Sequence, residues 1–182
     1  MKPLKTILII LAAVLFSVVN SHALTIDFDA YSPGEPVTTI DGVDFSSNTG
    51  LGLIISTGFD TSSGFNYLGV DDGDVFLGGE EIYLDFSEAY TYISVSFISA
   101  QWVYEGDFVI TTDSGQAVNS AIEDAVFDDG GYLYTVVFES DTAFTSATLS
   151  SANDFLINFN VDDIILEREA SAVPEPASAL LI

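Results

Sequence analysis

Between residues 81 and 97 the chain alternates. Ile82, Leu84 and Phe86 fall between Glu81, Tyr83 and Asp85, and Ile93, Val95 and Phe97 then flank Ser94 and Ser96. A period of two puts each apolar set on one face of an extended strand, whereas a helix would scatter it around its axis. Strands that are apolar on one side and polar on the other belong to antiparallel sheets with one buried face. The same grammar, short apolar stretches punctuated by Gly, Asp, Asn and Ser, runs from Leu24 to Glu167 without a helical period. Further strands are predicted at Ile26 to Phe28, Val37 to Phe45 with a turn at Asp41-Gly42, Leu51 to Ser56, Asp107 to Thr112, Tyr132 to Phe138, Ala143 to Ser150 and Phe155 to Leu166. Residues 58–64 read as a loop. Tyr132 to Phe138 is apolar at nearly every position, which predicts a central strand. In the last segment Phe155, Ile157, Phe159 and Val161 share one parity and Ile164 and Leu166 the other, so a bulge is predicted at Asp162-Asp163. Roughly nine or ten strands with turns about every 8–12 residues give an all-β fold, an antiparallel two-sheet β-sandwich of jelly-roll type.

The 182 residues suffice for one such domain. Residues 1–23 carry Lys2 and Lys5, an apolar run from Ile7 to Val19 and a small-residue exit at Ser21-His22-Ala23, the layout of a secretory signal peptide. The run is shorter than the ~20 residues that span a bilayer, and cleavage is expected after Ala23. Residues 24–169 then form the ectodomain. Cleavage removes both lysines and the one histidine, leaving Arg168 against 28 acidic residues. That balance excludes nucleic acid as a partner and disfavours anionic membrane surfaces. Cysteine is absent, so packing and hydrogen bonds must hold the fold. An apolar fraction of 48% separates the chain from disordered acidic tails.

Without His or Cys the mature chain lacks the usual triads, thiol nucleophiles and zinc sites, and it is not expected to be an enzyme. Paired carboxylates of the kind glycosidases use remain available, but no motif selects a pair. Calcium is the cofactor this oxygen-rich surface suits. Asp27 and Asp29, read as sharing a strand face, and Asp162 and Asp163, on the last strand, are candidate ligands that could meet if the first and last strands are neighbours. A second candidate, Asp71-Asp72-Gly73-Asp74, lacks the twelve-residue EF-hand pattern. The plainer reading of each is an aspartate that holds a turn or faces water. Trp102 and Tyr104, two apart and flanked by Gln101 and Glu105, would project together from an extended segment and form a platform for sugar rings; a core position is the plainer reading of a lone Trp.

The composition changes at Ala170, where residues 170–182 begin a linker. Val173-Pro174-Glu175-Pro176, followed by the apolar Ala177 to Ile182, resembles the opening of a PEP-CTERM sorting signal. Two prolines around one glutamate hold the backbone extended and keep the carboxylate out of a helix. In that family a membrane-spanning helix and a basic cluster follow, so the pattern is expected to continue past Ile182, and membrane attachment depends on that continuation. Thr25 to Asp29, Pro33 to Thr38, Gly42 to Phe45 and Phe155 to Leu166 are similar to the opening and closing strands of PEP-CTERM ectodomains, whose jelly rolls are related to carbohydrate-binding modules. The resemblance implies export from a Gram-negative-type bacterium by signal peptidase and an exosortase. It also implies a place at the cell surface or in the extracellular matrix, and a non-catalytic domain that binds extracellular polysaccharide or serves as structure. The alternatives are a secreted glycan-active hydrolase and a calcium-dependent adhesive matrix component.

Overall fold

The turn expected at Asp41-Gly42 shows how directly local sequence becomes backbone. Both residues have positive φ, 48° and 82°, and the two-residue loop joins β2 (Thr39–Ile40) to β3 (Val43–Ser47). Such a turn matches the twist of the strands it connects, and glycine adopts it without strain. A Cβ at Gly42 would also strike the Ser87 hydroxyl.

The computed structural model describes residues 23–71, 75–128, 130–151 and 157–168, and Ala23–Arg168 forms one compact unit. Residues 1–22 of the expected signal peptide, the 72–74 part of the acidic loop and the sorting motif Val173, Pro174, Glu175 and Pro176 lie outside the described residues. The other strands are β1 (Ala23–Ile26), β4 (Leu53–Thr57), β5 (Asn66–Val70), β6 (Phe76–Leu77), β7 (Glu81–Ser99), β8 (Phe108–Thr112), β9 (Gly115–Val118), β10 (Ala125–Val126), β11 (Tyr132–Ser151) and β12 (Asn158–Glu167). Their pairings are antiparallel, and the described residues contain no helix.

Two strands are far longer than alternation by itself suggested. Ile82 to Phe86 and Ile93 to Phe97 are halves of the 19-residue β7, and Tyr132 to Phe138 and Ala143 to Ser150 are halves of the 20-residue β11. One layer has the order β4-β5-β12-β7-β11-β10, using the second half of β7 and the first half of β11. The other has the order β2-β3-β7-β11-β8-β9, using the opposite halves. The sandwich is therefore a single hydrogen-bonded sheet folded over on itself. At the fold the β7–β11 register shifts twice, between Glu139, Phe144 and Ser146. Those irregularities let the buried parity change from Ile82, Leu84 and Phe86 to Ile93, Val95 and Phe97, so both halves aim apolar side chains inward. Tyr132–Phe138, expected as a central strand, has β7 on one side and the two-residue β10 on the other, and its Val137 points outward, 46% exposed.

Phe108, from β8 in the second layer, stacks on Phe97 of the first at 4.7 Å between ring centroids and also meets Phe159 and Tyr134. This aromatic contact joins the layers. Phe108→Ala is expected to cost on the order of 3–5 kcal/mol, read as a lower urea midpoint in equilibrium unfolding.

Candidate functional site

The 58–65 segment between β4 and β5 has no strand partner, so its backbone needs other acceptors. Aspartates supply them. The bulge predicted in β12 is present, with a register shift between Asp162 and Ile164 and φ of 34° at Asp163. It turns both carboxylates toward the loop. Asp162 Oδ2 accepts from the Ser62 and Ser63 amides at 2.9 and 3.0 Å and from the Ser62 hydroxyl at 3.0 Å. Asp163 accepts from the Ser62 and Ser63 hydroxyls at 2.8 and 2.9 Å. At the other end of the loop, Asp29 Oδ1 accepts from the Phe65 and Asn66 amides at 2.8 and 3.1 Å. Gly64, with φ of 48°, has no Cβ that would collide with the Asp29 carboxylate.

The reading of Asp27 and Asp29 as one strand face is corrected. β1 ends at Ile26, and Phe28, with φ of 61°, turns the chain while keeping its ring fully buried. Asp27 instead accepts from the Asp29 amide at 3.2 Å. β1 does pair with β12, the condition under which the two carboxylate pairs could have met. Yet Asp29 and the pair Asp162 and Asp163 meet the same loop rather than each other, and among the described residues no three His, Cys, Asp or Glu side chains gather as a metal group would require.

Held this way, the loop roofs the outward face of the first layer. Ser94, Ser96, Ile98, Asn160 and Asp162 are buried there, although alternation had assigned that face to water. Beside them are two concavities that share Phe59 and Asp60. One, about 410 Å³, is lined by Thr57, Phe59, Asp60, Phe65 and Phe127. The other, about 250 Å³, is lined by Phe59, Asp60, Ile98, Ala100, Asn158 and Asn160 among others. Asn160 donates from Nδ2 to the Asp60 carbonyl at 3.3 Å, while its Oδ1 is buried with no partner. Sequence reasoning singled out none of these lining residues. Phe59 and Phe65, 55% and 82% exposed, sit in a loop rich in Gly and Ser, and two aromatics in such a loop are the unused signal by which it could have been found.

Trp102 and Tyr104 lie in the loop between β7 and β8, both exposed, at 48% and 74%, on either side of the fully buried Val103. The Val103 amide donates to the Tyr134 hydroxyl at 3.3 Å, and buried Asn119 accepts from Gly106 and Phe108 and donates to the Tyr104 carbonyl at 3.0 Å. Trp102 meets Tyr132 edge to face at 5.6 Å. Gln101 Oε1 accepts from the Asn158 amide at 3.2 Å, which ties this loop to the rim of the smaller cavity.

No family model matches the chain, and no curated protein matches it. Among solved structures, the K2 cleaved adhesin domain of Lys-gingipain is similar, with 14% identity over 79% of this chain and 97% of that one and a TM-score of 0.50. A second cleaved adhesin domain of Lys-gingipain, from Porphyromonas gingivalis, has 12% identity over 81% and 99% of the two chains and a TM-score of 0.44. A mutant of a family 29 carbohydrate-binding module has 13% identity over 86% and 99% and a TM-score of 0.39. The first of these likenesses bears out the all-β sandwich.

Asp162 also makes the loop clasp sensitive to pH. Burial pushes its carboxyl up from 3.8 to about 6, against the lowering effect of the Ser63 and Asp163 amides, and the Asp163 charge adds to the rise. Between pH 4 and 6 the folded state thus binds more protons at this position than the unfolded chain, so this group's contribution to stability is present below pH 4 and is lost as pH rises through 6. The expected size is about 3 kcal/mol. Asp162→Asn should flatten that part of the profile in urea melts at pH 4.5, 5.5 and 7.5; parallel profiles for variant and wild type would contradict it.

Proposed function

We propose that this is a non-catalytic binding domain that presents Trp102 and Tyr104 to a polysaccharide at the cell surface or in the extracellular matrix. The observation that carries the reading is the exposure of both rings on a braced segment. Large aromatics left in water on a rigid support are where binding energy is gained cheaply, because little side-chain and loop entropy remains to be lost. An i, i+2 spacing around the anchored Val103 would turn them to the same side of an extended segment.

The carboxylates favour binding over hydrolysis. A glycosidase needs two carboxyl groups facing one bond, about 5–9.5 Å apart. Here Asp29, Asp162 and Asp163 are engaged in holding the 58–65 loop. Export by a signal peptide and exosortase sorting through Val173, Pro174, Glu175 and Pro176 belong to the same proposal and rest on the sequence at the two ends of the chain.

A glycan array probed with the domain spanning residues 24–170 tests the reading, and retention on one polysaccharide class is the expected result. Trp102→Ala and Tyr104→Ala should each weaken that binding by on the order of tenfold or more. The melting temperature should move little for Tyr104→Ala, whose residue is 74% exposed, and somewhat more for Trp102→Ala, which also loses its contact with Tyr132. A silent array, or affinities that ignore both substitutions, would sink the proposal.

A further inference from the structure

We infer that the cavity of about 250 Å³ beneath Phe59 and Asp60 is a second sugar subsite, selective for a neutral, hydroxyl-rich pyranose unit over a uronate. It rests on the glycan-binding reading and extends it to a place where sequence pointed to nothing. The argument begins at Asn160. Its side chain is 2% exposed, and the Asp60 carbonyl fixes which way the carboxamide points by taking the Nδ2 hydrogen. The Oδ1 atom is left as a buried acceptor without a donor. A desolvated acceptor of this kind is retained at a cost unless something donates to it.

The cavity is far larger than one water, whose share of liquid volume is about 30 Å³. Val75, Ile98, Ala100 and Phe159 give it apolar walls, and Asp60 and Asn158 add polar groups. No cationic side chain lines it, and Arg168 is the one Lys or Arg among the described residues. A ligand that fits must bring hydrogen-bond donors and C–H surface and must not bring a negative charge. Hydroxyls on a pyranose ring meet all three conditions. A uronate would be repelled by Asp60 and by the acidic surface. The ladder fixes the key atom in place, since Asn160 pairs with Ile98 across β12 and β7. The Gln101 to Asn158 hydrogen bond joins the rim to the Trp102 segment, so one oligosaccharide chain can reach both places.

The test titrates the ¹⁵N-labelled mature protein with cellohexaose, mannohexaose, xylohexaose and hexagalacturonate. A neutral probe is expected to shift the Asn160 side-chain amide resonances, while hexagalacturonate leaves them unmoved. Asn160→Leu removes the acceptor and should lower affinity at least tenfold. Because that variant could fail to fold, Ala100→Phe, which fills the cavity from an exposed position, should give the same loss with an unchanged melting temperature. Binding that Trp102→Ala abolishes, but that leaves the Asn160 resonances and the Ala100→Phe affinity unchanged, overturns the subsite and spares the platform. Equal shifts with hexagalacturonate overturn the selectivity. Absence of binding to all four probes overturns the subsite together with the glycan reading beneath it.

Discussion

The architecture depends on a change of parity within two strands. A strand that simply bends from one layer into the other keeps a fixed alternation, and any apolar pattern out of phase with it would face water. In β7 and β11 the pattern does change phase, and the register shifts around Phe144 absorb the change. The fold line is then sealed by rings: Phe144 lies between Phe86 and Phe138, at 6.0 and 5.6 Å. With both halves of both strands turned inward, Phe108 can reach Phe97, Phe159 and Tyr134 from the opposite layer, and a core forms without a disulfide. A third bulge, at Asp162-Asp163, does the same for β12 and at once delivers two carboxylates to the loop above it.

That second consequence explains a buried carboxylate in a chain rich in solvated ones. Asp162 is fully buried, which is costly for a charge. The donors converging on it from Ser62, Ser63 and Asp163 offset much of that cost and convert the remainder into a fixed position for the loop. Acidity therefore serves two purposes here. A few aspartates act as acceptors for irregular backbone, and the rest keep the surface negative. The lone arginine adds little to stability. Arg168 pairs with Glu88 and lies 5.5 Å above the Tyr90 ring, but both ends of the ion pair are about half exposed, where such contacts are worth roughly 0–1 kcal/mol.

The candidate binding surface follows from what the clasped loop covers and what it leaves open. Phe59 and Asp60 stand between two concavities, and the β7–β8 loop brings Trp102 and Tyr104 to the neighbouring rim through Gln101. Each part is braced from below: Val103 by the Tyr134 hydroxyl, the 104–108 turn by Asn119, the 58–65 loop by Asp29, Asp162 and Asp163. A rigid, acceptor-rich and cation-poor surface suits neutral polyhydroxylated ligands better than anionic ones.

Sequence by itself determined the fold class, the Asp41-Gly42 turn and the bulge at Asp162-Asp163, because each follows from local parity or from backbone conformations that few residues adopt. Only the tertiary structure decided that the paired segments in β7 and β11 were continuous strands, because continuity depends on partners dozens of residues away. It likewise decided that Asp29, Asp162 and Asp163 would grip one loop. The same long-range closure buried the outward face carrying Asn160, whose neighbour across the roof, Asp60, lies a hundred residues earlier in the chain. Alternation can say which side of a strand a residue occupies, but whether that side meets water or another part of the chain is settled by which distant segment folds over it.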